Sequence, residues 1–138
     1  MHHFHGYTWT GQAAPYLNSE GIRRPFHPEF QSSPLPPMRL CDWLLKPHNR
    51  IAASFEQVDD AVTWLIDQYD IACPSFHLPD QEAKIGREHR HEGVVEALPG
   101  GTDIQWGFHL KGERFVSMGI ICCPNKHAPD YKCPKGRR

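Results

Sequence analysis

A chain of 138 residues with 15 lysines and arginines against 16 aspartates and glutamates has the size of one domain with at most an appended arm. Its formal charge of −1 excludes a global field directed at nucleic acid or an anionic membrane, and no stretch approaches the roughly eighteen apolar residues of a membrane span. Thirteen prolines and eleven glycines beside 39% hydrophobic residues limit the core, so a staple beyond apolar burial is expected.

Ten histidines make net charge, and with it solubility and self-association, sensitive to pH near 6.5. Five cysteines, an odd number, fit a complete disulfide framework poorly and fit metal ligation or buried thiols better. The start, MHHFHGYTWTG, lacks the basic and then apolar pattern of a secretory signal, so a cytoplasmic location is the default expectation.

In chain order, residues 1–37 read as an extended N-terminal arm rich in proline and aromatics. Pro15, Pro25, Pro28, Pro34, Pro36 and Pro37 interrupt any helical period, while Phe4, Tyr7, Trp9, Tyr16, Phe26 and Phe30 predict that the arm packs on its own domain or a neighbouring chain. Residues 38–123 are the predicted α+β core. Met38–Leu45 fits one or two helical turns before Pro47. Ser54 and Gln57 fit a capping box, and Phe55, Val58, Val62, Leu65 and Tyr69 draw one apolar stripe, which predicts a helix over 55–71 ending before Cys73-Pro74.

From Glu92 the period becomes two. Val94–Leu98 reads as a short strand; Ile104, Trp106, Phe108 and Leu110 mark a second, and Arg114–Cys122 a third. The predicted fold is one long amphipathic helix packed on a three-stranded antiparallel meander. Residues 124–138 read as an irregular basic tail with Lys126, Lys132, Lys135, Arg137 and Arg138 against Asp130.

One motif recurs. Cys73-Pro74-Ser75-Phe76-His77 returns as Cys123-Pro124-Asn125-Lys126-His127, and two thiols with two imidazoles make the ligand set of a tetrahedral zinc site. The expected centre is therefore structural zinc on Cys73, His77, Cys123 and His127, with Cys133 or Cys122 as a replacement thiol. The alternative keeps all five cysteines as small buried residues.

Other constellations are thinner. His89-Arg90-His91 with Glu96 five positions later resembles a fragment of the first cupin motif, in which two histidines and a glutamate hold a catalytic metal inside a barrel; the second motif, PxGxxH, is absent. On a strand His89 and His91 would share a face, and His109 could add a third imidazole with Glu92 or Glu96 as base or ligand. His3, third after a free amine and flanked by His2 and His5, has the spacing of a square-planar copper or nickel chelator. No phosphate-cradling loop, serine elbow or dinucleotide fingerprint occurs.

These features predict a metal-stapled binding or assembly module, non-enzymatic, acting through protein–protein contacts or self-association of the arm. A small metalloenzyme using His89, His91 and His109, or a nucleic-acid-binding regulator using the basic tail, are the alternatives.

Overall fold

The computed structural model describes residues 2–136. Its centre is a four-stranded antiparallel sheet with strand order β2-β1-β4-β3, formed by β1 (His3–Gln12), β2 (Ala53–Phe55), β3 (Ile104–Leu110) and β4 (Arg114–Cys123). β1 pairs with β4 along its whole length, from His3 opposite Cys123 to Gln12 opposite Arg114, and carries β2 on its other edge with His5 opposite Ser54. Gly112 and Glu113, both at positive φ, turn β3 into β4.

The helices are α1 (Ala13–Asn18), α2 (Val58–Ala72), α3 (Pro79–Ile85) and α4 (Arg87–Ala97). The stripe on α2 behaves as its spacing predicts: Ala61, Val62, Leu65, Ile66 and Tyr69 are buried against Phe4, Trp106, Val116, Met118 and Ile120 of the sheet. Burying a leucine such as Leu65 contributes about 2 kcal/mol. α2 approaches closely because Gly6 has no side chain: a Cβ there would lie 2.6 Å from the Trp64 ring.

Period two on β1 and β4 sends alternate residues to the opposite face. There Tyr7, Ile121 and Cys123 form a second cluster with Trp43, Leu44 and Cys133. The cover comes from a 3₁₀ segment, Leu40–Leu45, and from the C-terminal tail. Two buried cations fasten the proline-rich stretch leading to that segment. Arg23 donates to the Pro36 and Tyr16 carbonyls at 2.6 and 3.1 Å, and Lys46 donates to the Phe30 and Ser33 carbonyls at 2.6 and 2.8 Å. Burial, aided by nearby Arg50, pulls the Lys46 ammonium down to about 8.

The architecture is mixed α and β, but the sheet is not the expected three-stranded meander: two of its strands are kept as β3 and β4, β1 and β2 join them, and the single helix becomes several. Residues 3–12 are an interior strand rather than part of an irregular arm: their β-branched and aromatic residues pair with β4 throughout, and Phe4–Gly6 pair with β2 as well. Val94–Leu98, expected as a strand, belongs to α4 and the 3₁₀ turn after it. Val94 and Leu98 are both fully buried and stand one helical turn apart, a spacing compatible with either period. Arg90, a turn earlier, lies over the Trp106 and Phe108 rings and completes the helical face. Ser54 caps no helix; it lies in β2, and α2 begins after Gln57 without a side-chain cap.

Candidate metal centre

His3 and His5 occupy alternate positions of β1, so both imidazoles leave the same face of the sheet. Directly across from His3 on β4 is Cys123, on that same face. The fourth group arrives from the tail. Beyond Cys123, Asn125 is buried and donates to the Asp103 carboxylate at 2.9 Å and to the Cys122 carbonyl at 3.1 Å, while its Oδ1 accepts the His127 N–H at 3.0 Å. This knot reverses the chain. The Tyr131 hydroxyl then donates to Asp42 at 2.9 Å, tying the tail to the 3₁₀ cover and setting Cys133 over the two histidines.

The donor atoms of His3, His5, Cys123 and Cys133 all lie within 4.8 Å of one another, and all four residues are buried. His3 Nε2 and His5 Nε2 each stand 3.4 Å from Cys133 Sγ. A tetrahedron with Zn–S and Zn–N bonds of standard length has N···S edges of about 3.5 Å, so these separations suit one shared ion. His5 is oriented from behind, its Nδ1 2.8 Å from Ser54 Oγ, which leaves Nε2 for the cluster.

Burial, together with the neighbouring Cys133, pushes the Cys123 thiol up to about 12. A dication inverts that field, because coordination deprotonates a thiol outright. A cavity of about 570 Å³ beside the cluster is bounded by Cys123, Cys133, Pro124, Asp130, Tyr131 and Lys132. Two thiols and two imidazoles converging in a buried site could hold a metal ion.

Of the ligands expected from the repeated CPxxH, the structure brings only Cys123 to this cluster, with the alternate Cys133. Cys73 follows α2 and packs against the helix-side core, whereas Cys123 faces the other side of the sheet, so the sheet separates them. His77 is exposed and its N–H donates to the His109 carbonyl at 2.9 Å; His127 is exposed as well. Cys122 points to the helix side, as the neighbour of Cys123 on a strand must.

His89, His91, Glu92 and Glu96 are exposed on α4, where residues two apart diverge by about 200° instead of sharing a face. His109 is exposed on β3 with its ring against Phe115. Among the described residues, these groups join no metal-ligating cluster. His3 turns its ring into the buried centre, and residue 1, on which an amine chelate would depend, lies outside the described residues. The same is true of Arg137 and Arg138 of the basic tail. The sequence places His3 and His5 together only as an N-terminal chelating cluster and not with the cysteines, although His3-x-His5 within a run of strand-forming residues carries the period-two signal.

Among the described residues no helix is long and apolar enough to cross a membrane. No protein-family model, curated protein or solved structure matches the chain.

Proposed function

We propose that the protein is a small non-enzymatic module stapled by one structural zinc ion on His3, His5, Cys123 and Cys133, and that it acts by binding another protein or a second copy of itself. The observation that carries the reading is the convergence of four buried donors within 4.8 Å, drawn from the first strand, the last strand and the tail. Zinc suits two thiolates with two imidazoles in tetrahedral array, and four protein ligands leave no open position for a substrate, which is the arrangement of structural sites. Protein contact falls to residues 13–37, where Leu17 is 58% and Phe26 81% exposed. The dispersal of His89, His91 and His109 lends no support to a catalytic centre there.

The test is native mass spectrometry with thermal melting. One zinc per chain is expected, and a strong chelator should lower the melting temperature by about 10 °C or more. Cys133→Ser and His5→Ala should lose the ion, while Cys73→Ser and His77→Ala retain it. A metal-free mass with a melt indifferent to zinc and chelator would sink the staple. A mass that stays monomeric at all concentrations, with no partner lost on Phe26→Ser, would sink the assembly role.

A further inference from the structure

We propose that the free edge of β3 is a docking site that takes an extended, apolar and acidic segment of a partner protein as a fifth strand of the sheet. The inference goes beyond contact through residues 13–37 and stands with or without a metal ion. β3 lies last in the strand order, and β4 is its one neighbour there. At its C-terminal end the chain itself shows what the other edge accepts. The His77 N–H donates to the His109 carbonyl at 2.9 Å and the Lys111 N–H to the Ser75 carbonyl at 2.8 Å, so residues 75–77 run antiparallel to β3 through the Phe76–Leu110 bridge. Pro79 then opens α3 and carries the chain away. Because His109 presents its backbone to this edge, Gln105 and Gly107 do so too. Among the described residues neither has a backbone hydrogen bond there.

Sheet edges are normally guarded by shortness, charge or proline. β2, the other edge strand, has three residues, whereas β3 has seven, with no charged residue and no proline. The Gln105 side chain is held on Ser117 of β4 at 2.7 Å and Gly107 has none, so neither screens the backbone. Beside the edge lies a groove of about 340 Å³, lined by Phe76 and Phe108. Leu78 and Ile85, at the two ends of α3, border it while 52% and 47% exposed. A row of open N–H and C=O groups is complemented by an extended backbone, and a strand laid there turns alternate side chains into the groove. Those side chains are apolar. The acidic preference comes from the groove's end. Among the described residues bordering it, the one acid, Glu82, is spent on Tyr69 and Arg90. His77 and His109 are exposed there, in no ion pair among the described residues, and their rings can donate to a carboxylate.

The experiment selects random phage-displayed peptides on the full chain and measures binding of the enriched peptide, made synthetically. Enriched sequences should alternate β-branched or other apolar residues and carry an aspartate or glutamate. The Gln105 and Gly107 amides should exchange freely in the chain alone and become protected when the peptide binds. Gln105→Pro removes an outward N–H without breaking a bond to β4, and should weaken binding about tenfold or more; Leu78→Ser should weaken it as well. No enrichment, enrichment without an acid, or a peptide that protects neither amide would overturn the proposal. Binding lost on Phe26→Ser and kept by Gln105→Pro would assign the peptide to residues 13–37 and overturn it too. So would a dimer of the chain that Gln105→Pro dissociates and no peptide displaces, since the occupant would then be a second copy. Should Gln105→Pro fail to fold, amide protection in the wild type decides.

Discussion

His5 is gripped at both ring nitrogens, with Ser54 Oγ 2.8 Å from Nδ1 and Cys133 Sγ 3.4 Å from Nε2. A histidine that gives Nε2 to a metal keeps its proton on Nδ1, and a fixed oxygen there sets both tautomer and ring angle. Ser54→Ala should therefore weaken metal binding by about tenfold in chelator competition while the fold survives. Unchanged affinity would show that the strand alone orients the ring. Adjacent Cys122 and Cys123 show how finely the site is specified. One residue of register separates a thiol in the helix-side core from one in the His/Cys cluster. Cys123 and, as an alternate, Cys133 were legible as candidate ligands; the pairing with His3 and His5 was not, because spelling alone does not say which face of a sheet a residue occupies.

At the scale of elements, α2 and β3 were legible because each buries a single face, so periods of 3.6 and 2 stand out; β4, buried on both faces, was legible as the partner of β3 across the Lys111-Gly112 turn. β1 was obscured because His3 through Tyr7 are buried on both faces and the prolines that follow read as a continuous arm. The short α3 and α4 are polar on most sides; α4 buries Val94 in the core, and one buried acid ties the two helices to α2. Glu82 of α3 accepts from Tyr69 of α2 at 2.6 Å and from both forks of Arg90 on α4 at 3.0 and 2.8 Å. Burial would raise its carboxyl, but the bonds from Arg90 and Tyr69 outweigh that and hold it below the ordinary carboxylate range. The folded carboxylate then binds fewer protons than the unfolded one. Its stabilisation is complete above the unfolded value of about 4.5 and is lost as pH falls through the lower folded value. Glu82→Gln should cost about 1–3 kcal/mol at neutral pH and flatten the acid limb of the stability curve. A variant with the wild-type acid limb would remove Glu82 as the dock.

For the whole molecule, the position of β1 between β2 and β4 makes the N-terminal residues part of the scaffold. Deleting residues 1–12 should abolish cooperative thermal unfolding, because β4 would lose its ten-residue partner and β2 its only neighbour. A truncated chain that still melts in one sharp transition would contradict that dependence. The ligands add a second consequence. An ion joining His3 to Cys133 would bridge a separation of 130 residues and close them into one loop. For a covalent cross-link, closing even a hundred-residue loop removes about 4.7 kcal/mol of chain entropy from the unfolded state. The same geometry imposes an order in time. Contacts this distant in sequence form late, and His3 and His5 precede Cys123 and Cys133 by more than a hundred residues of synthesis. If the four donors share an ion, its full capture waits for Cys133, and metal uptake would mark that synthesis has passed the last strand.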